Sequence, residues 1–134
     1  MKPLQIAFVA LLFLSALVTS ALGLRTLFDP EAMMVSFGVE VQRSPGLDLL
    51  IAVLGGALLS LASFVFLAAW WSYRGLVAGR TLGRLAAVTL LIVALCAWAL
   101  GGSLEVLVLD GVRGVVLLVL GTLWKPNGEA AAES

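Results

Sequence analysis

The sequence predicts an all-α, polytopic membrane protein: a bundle of four transmembrane helices with a short interfacial helix in the first loop. Of its 134 residues, 62% are hydrophobic and only 12% are charged, whereas soluble domains average about 45–50% apolar and 25% charged residues. The hydrophobic residues form four blocks, each close to the roughly 20 residues that a helix needs to cross the hydrocarbon core. Basic residues are concentrated beside and between these blocks.

The residues that the chain lacks disfavour most catalytic chemistry. There is no histidine, which removes imidazole ligands for metals and haem and the usual general base near neutral pH. Cys96 is the only cysteine, so neither an intrachain disulfide nor a CxxC pair can form. We therefore expect no enzyme, no catalytic residue, no cofactor and no metal. Cys96 itself, in mid-helix, we expect to be a buried small hydrophobic residue.

The first span is predicted over residues 4–27, which follow Lys2 and are apolar with scattered small residues. A secretory signal peptide is the alternative, because a basic start, an apolar centre and the small residues Thr19-Ser20-Ala21 are its ingredients. The apolar run continues past that cleavage site to Phe28. This continuation favours the span.

The first loop, residues 28–46, is the only sizeable polar connection between blocks. It predicts a short helix with Asp29 as N-cap, Pro30 at the first helical position and Gly38 as the stop. Such a helix would lie flat in the headgroup region or cover the bundle as a lid, with ligand binding as the alternative role. Its apolar face would consist of Met33, Met34 and Phe37.

The second span is predicted over residues 47–73, launched by a turn at Ser44-Pro45-Gly46. Along this helix Ala52, Gly56 and Ser60 recur every four residues, the spacing at which small side chains let two membrane helices approach closely. We favour packing of this stripe within the chain over packing against a second copy.

The third and fourth spans are predicted over residues 82–100 and 103–124. Together, residues 1–125 form a single transmembrane domain, and residues 126–134 a disordered cytoplasmic tail. An alternative makes Asp110-Gly111 a turn, since Asp-Gly is a strong turn dipeptide. That alternative leaves a last helix of only about 20 Å, too short for the bilayer core of about 30 Å, so we favour a continuous fourth helix.

The charges predict the orientation. With both termini in the cytoplasm, five basic residues lie inside and three lie outside or in the outer half of the bilayer, as the positive-inside rule requires. Tryptophans 70, 71 and 124 then reach the inner interface, and the predicted location is the bacterial cytoplasmic (inner) membrane. The inner basic residues are Lys2, Arg74, Arg80, Arg84 and Lys125; the outer ones are Arg25, Arg43 and Arg113; the acids Asp29, Glu31, Glu40, Asp48 and Glu105 all lie outside.

The fourth span contains Asp110 and Arg113, which share a helix face and can pair. Each unpaired charge at the bilayer centre costs about 2.5–3.5 kcal/mol, whereas each Leu or Val returns only about 0.3–0.6 kcal/mol. The pair therefore either lies in the outer half of the bilayer, with its charged groups reaching the headgroups, or points into the bundle. In the second case Gly111 and Gly114 would let a neighbouring helix pack closely over it. Ionisable residues in membranes are candidates for function; a structural pin between helices is the other interpretation.

Packing signals without catalytic residues predict a scaffold or an accessory subunit of a membrane complex. Its partners would be the lipid bilayer and other membrane subunits or a second copy; the net charge of zero gives no electrostatic reason to bind nucleic acid. The alternative is a small transporter or proton-coupled exporter that uses Asp110. A membrane enzyme acting on lipids or thiols is disfavoured by the missing histidine and the single cysteine.

Two segments carry a family resemblance: LFDPEAMMVSFGVE, residues 27–40, followed by a Gly-rich helix, and VLDG, residues 108–111. They resemble a family of small bacterial four-helix membrane proteins known only as a domain of unknown function. The resemblance covers the N-terminal helix, the Pro and Gly of the first loop, and Asp110-Gly111. It implies a fold and a membrane location but no activity.

Overall fold

The computed structural model describes residues 2–36, 44–99 and 104–126. These residues are all-helical, without a strand, which confirms the predicted all-α class. Predictions that concern Phe37, Gly38, Glu40, Arg43 and residues 127–134 lie outside the described residues. The five helices are α1 (Pro3–Phe28), α2 (Pro30–Ser36), α3 (Pro45–Tyr73), α4 (Val77–Ala99) and α5 (Leu104–Leu123).

Three of the helices are long and apolar enough to cross a membrane: Pro3–Phe28, Pro45–Tyr73 and the Val77–Cys96 part of α4. Large hydrophobic side chains cover their outer surfaces; Leu17 and Leu49, for example, are 67% and 68% exposed. Water-soluble monomers rarely expose continuous apolar surfaces of this kind. Fold and surface together define a helical membrane protein.

Side-chain N-caps precede α2 and α3: the one at Asp29 matches the prediction, and the one at Ser44 lies within the predicted launching turn. The Asp29 carboxylate accepts a hydrogen bond from the Ala32 amide at 3.2 Å, and the Ser44 hydroxyl accepts one from the Leu47 amide at 3.3 Å. In each case a proline follows at the first helical position, where its missing N–H costs nothing. These local signals explain why α2 and α3 begin where they do.

The connection between α3 and α4 is shorter than expected, because α4 begins at Val77 and not near residue 82. Gly75 adopts a left-handed conformation with φ of 73°. The amides of Gly75 and Leu76 donate to the carbonyls of Ser72 and Trp71, each at 3.0 Å. This is a Schellman motif, which ends a helix with glycine and lets the chain reverse within a few residues.

In the bundle, α1 packs mainly against α3, α3 against α4, and α4 against α5. Each of these pairs is antiparallel, because the start of one helix contacts the end of the other. The first turns of α1 also meet the last turns of α5, where Phe8 packs against Trp124. Met33 of α2 is buried and Met34 is partly buried. The central core consists of Phe8, Leu12, Val65, Ala68, Ala69, Ala87, Leu90, Leu117 and Trp124.

Candidate functional site

Asp110 and Arg113 form an ion pair on α5. An Arg113 Nη2 donates a hydrogen bond to Asp110 Oδ1 at 2.5 Å, and the two side chains are only 13% (Arg113) and 20% (Asp110) exposed. The helix continues through Asp110 and Gly111 without a break, so these residues do not form a turn. The i, i+3 spacing alone brings the carboxylate and the guanidinium together.

The pair points toward the bundle. Asp110 shares one face of α5 with Gly114, Leu117 and Gly121, which recur every three or four residues and are all buried. That face packs on α4 and α1, since a Cβ added at Gly114 would contact Leu91 and one added at Gly121 would contact Phe8. This orientation matches the second of the two sequence-based alternatives, in which the charges avoid lipid.

The two glycines near the pair have different surroundings. A Cβ at Gly114 would lie 2.9 Å from Leu91 Cγ and 3.1 Å from the Ala87 carbonyl oxygen, so a larger residue would push α4 away. A Cβ at Gly111 would meet nothing within 4 Å. Of the two candidate packing residues, Gly114 therefore lies at the close contact with α4, and Gly111 does not.

Two buried polar atoms near this region lack hydrogen-bond partners among the described residues: Arg113 Nε and Ser15 Oγ. Ser15 is fully buried and lies two turns after Phe8, hence on the same side of α1. Phe8 contacts α5 at Gly121. Because α1 and α5 are antiparallel, moving two turns forward along α1 corresponds to moving two turns back along α5, from Gly121 to Gly114. By helical periodicity, the unsatisfied Ser15 hydroxyl therefore lies at about the same depth in the bundle as Gly114, next to the ion pair.

The stripe of Ala52, Gly56 and Ser60 faces outward, and no helix among the described residues packs on it, contrary to the expectation of packing within the chain. All three residues are exposed, and a Cβ at Gly56 would meet nothing within 4 Å. The adjacent Gly55 makes the close approach to α1: its Cβ would lie 2.6 Å from Leu27 Cγ and 3.3 Å from the Gly23 carbonyl oxygen. Because small residues occupy neighbouring faces of α3, their spacing could not show which face turns inward.

A shallow groove of about 250 Å³ lies between the outer surfaces of α1 and α3. Phe66 forms part of its wall and is held edge-on against Phe13 of α1, with ring centroids 5.2 Å apart. The groove is mostly apolar. Its lining residues are Ala16, Leu17, Ser20, Ala62, Ser63 and Phe66.

Side chains from neighbouring helices satisfy the final carbonyls of α3 and α5. Gln5 Nε2 donates to the Ser72 carbonyl at 2.8 Å. Arg80 donates from Nε to the Gly121 carbonyl at 2.7 Å and from Nη2 to that of Thr122 at 3.1 Å. Such carbonyls have no partner within their own helix, and a cation there also complements the negative end of the helix dipole.

Sequence reasoning missed both of these contacts, which span 67 and 41 residues. Gln5 could have been noticed as an isolated amide in an apolar first turn. Arg80 carried no comparable signal, because every basic residue in that loop fits the positive-inside rule equally well.

Cys96 is exposed, so the expectation that it is buried is wrong. It lies on the outer surface of α4, where an apolar side chain is accepted as readily as in the core. No group of three or more His, Cys, Asp or Glu side chains that could hold a metal ion occurs within the described part of the chain.

No protein-family model, curated protein or solved structure matches the chain. The class of protein is therefore defined by its own geometry: a helical membrane protein with three candidate spanning helices and a partly buried ion pair on α5. The resemblance to the four-helix family of unknown function stays a prediction.

Proposed function

We propose that this chain is a non-enzymatic protein of the bacterial inner membrane that serves as a scaffold or accessory subunit of a membrane complex. In this proposal α5 is the fourth span. Its 20 residues rise about 30 Å, the thickness of the hydrocarbon core. Its charged side chains at mid-helix, Asp110 and Arg113, are paired and turned toward the bundle, which lowers the main cost of inserting it.

The observation that carries the accessory role is the outward-facing stripe of Ala52, Gly56 and Ser60. On the neighbouring face of the same helix, Gly55 lets α1 approach to backbone distance. The outward stripe would let another helix pack equally closely, and no helix among the described residues packs there. Ser60 Oγ bonds to its own Gly56 carbonyl at 2.9 Å, so the stripe needs no polar partner. We propose that it receives a helix of a partner subunit or of a second copy.

Gly56→Leu tests this role, with Ala57→Leu as the matched control because Ala57 is also exposed but lies one residue off the stripe. Each protein is purified in mild detergent from its native membrane. We expect the wild type and Ala57→Leu to elute as a complex of fixed composition and Gly56→Leu to elute alone. A wild type that always elutes as a single free chain contradicts the proposal.

The proposed orientation, with both termini in the cytoplasm, is tested by cysteine labelling in a Cys96→Ala background. Leu76→Cys places a thiol between α3 and α4, and Phe28→Cys places one at the opposite end of the bundle; both native side chains are exposed. A membrane-impermeant maleimide should label the second in intact cells and the first only after permeabilisation. The reverse result overturns the orientation.

A second candidate function, proton-coupled transport through Asp110, is supported by the unsatisfied Ser15 Oγ and Arg113 Nε. Buried polar atoms without partners are uncommon and are often explained by an unseen polar group. Asp110→Asn should then abolish proton-driven substrate uptake into membrane vesicles, whereas Asp29→Asn, which changes an exposed acid just after α1, should not. Transport that is unchanged in Asp110→Asn ends this alternative.

A further inference from the structure

At one corner of the bundle lie two cationic side chains that have no partner among the described residues. Gln5 bonds to the Ser72 and Tyr73 carbonyls at 2.8 Å and 3.4 Å, which fixes the first turn of α1 against the last turn of α3. Lys2 lies one turn from that contact on α1, and Arg74 follows it directly on α3. Both side chains are exposed, and among the described residues neither forms an ion pair or a side-chain hydrogen bond.

No acidic residue lies at this end within the described part of the chain. The basic residues there come from the start of α1, the end of α3, the start of α4 and the end of α5, while the acids of the described helices and caps lie at the opposite end or, as Asp110, along α5. Arg80 is engaged by the carbonyls of Gly121 and Thr122. Among the described residues, therefore, no acid neutralises the positive charge of Lys2 and Arg74.

Two aromatic side chains stand beside Arg74. The rings of Trp70 and Tyr73 stack at 6.1 Å with an interplanar angle of 29°, and the two residues are 46% and 53% exposed. Tryptophan and tyrosine are enriched at the depth of lipid headgroups, where an apolar ring and a polar edge are both satisfied. Phe66, one turn before Trp70 on the same face of α3, belongs to the groove between α1 and α3.

We propose that this corner, formed by Lys2, Arg74, Trp70 and Tyr73, binds the headgroup of an anionic phospholipid. The guanidinium of Arg74 presents a planar fork that matches two phosphate oxygens, and Lys2 adds a second cation. One acyl chain runs past Trp70 into the groove. Counted along α3, Arg74 lies about 16 Å from Ser63 in that groove, a distance that a lipid tail of ordinary length covers.

This inference requires that this end of the bundle lies at a membrane interface. It depends neither on which side of the membrane that is nor on the proposed partner helix, so it can fail while the accessory role stands. The occupant is a membrane lipid and not free phosphate, because the groove and the aromatic pair contribute only if the anion carries an acyl chain.

The test measures lipid retention by native mass spectrometry and the midpoint of thermal unfolding in detergent. Phosphatidylglycerol, phosphatidylcholine and inorganic phosphate are added separately. We expect phosphatidylglycerol alone to remain bound and to raise the unfolding temperature. Equal effects of phosphatidylcholine, or stabilisation by inorganic phosphate alone, overturn the proposal.

Variants locate the site. Lys2→Gln and Arg74→Gln should each weaken phosphatidylglycerol binding about fivefold, the contribution of one basic side chain near an anionic lipid surface. Trp70→Leu should weaken binding of the whole lipid. Arg25→Gln is the matched control, because Arg25 is an exposed arginine at the opposite end of α1. Its binding should equal that of the wild type, and an equal loss in Arg25→Gln would show that only net charge matters.

Discussion

The ring of Phe8 lies 5.6 Å from the ring of Trp124, so the first turns of α1 meet the end of α5 inside the bundle. Phe8 is fully buried, and the absence of side chains at Gly83 and Gly121 makes room for its ring. One phenyl group thus connects α1, α4 and α5. The arrangement of these three helices depends on it.

Phe8→Ala should lower the free energy of unfolding by about 3–5 kcal/mol, because it leaves a cavity where three helices meet. Phe64→Ala is the control, since Phe64 is 63% exposed and its removal opens no cavity. Reversible unfolding in mixed micelles measures both. Equal losses in the two variants would contradict the central position of Phe8.

Breaking the ion pair of α5 should destabilise the bundle, and exchanging its partners should restore part of the loss. Arg113→Glu alone places two carboxylates together; breaking a fully buried pair costs about 3–5 kcal/mol, and the loss for this partly buried pair should be smaller. Combining it with Asp110→Arg re-forms a pair of opposite charges at the same spacing. Unfolding measured for the single and double variants checks this, and equal stability of all of them would refute the pairing.

Gly114→Val should destabilise the contact between α4 and α5 by about 1–3 kcal/mol, because the added atoms overlap Leu91 and the Ala87 carbonyl. Gly111→Val should be close to neutral, since a Cβ there meets nothing within 4 Å. The two variants differ by one turn on the same helix and receive the same side chain. Their unfolding midpoints in detergent should therefore separate packing from helix propensity.

Arg80→Met should cost about 1.5–3 kcal/mol, since it removes charged hydrogen-bond donors from the last carbonyls of α5 while keeping an unbranched stem. Arg84→Met is the control: Arg84 is exposed and its guanidinium has no hydrogen bond to the described residues. Amide hydrogen exchange should accelerate in the final turn of α5 only in Arg80→Met. Equal exchange in both variants would show that Arg80 does not secure this turn.

What could be predicted from the sequence depended on local signals. Asp29 and Ser44 mark helix starts because an N-cap acts over three residues, and Asp110 and Arg113 pair because one helical turn separates them. The helix bounds follow similarly from Pro and Gly positions. The largest difference, the start of α4 at Val77 instead of near residue 82, results from the tight Schellman turn at Gly75, which sequence reasoning did not anticipate.

What could not be predicted depended on which face of a helix turns inward. In a water-soluble helix, polar residues reveal the outer face, whereas the outer face of a membrane helix is as apolar as its core. Gly55 and Gly56 are therefore indistinguishable by composition, and so are the inner and outer sides of α4 around Cys96. The capping of α3 by Gln5 and of α5 by Arg80 depends on tertiary neighbours, which local patterns do not encode.

Gln5 and Arg80 each cap the C-terminal end of a neighbouring helix, and this has a consequence for co-translational folding. Each donor precedes its acceptors in the sequence: Gln5 precedes Ser72, and Arg80 precedes Gly121. When the ribosome completes α3 or α5, the side chain that satisfies its final carbonyls has already been synthesised. Gln5 is therefore available to cap α3, and Arg80 to cap α5, as soon as each helix is inserted. The helices can assemble in the order in which they are translated.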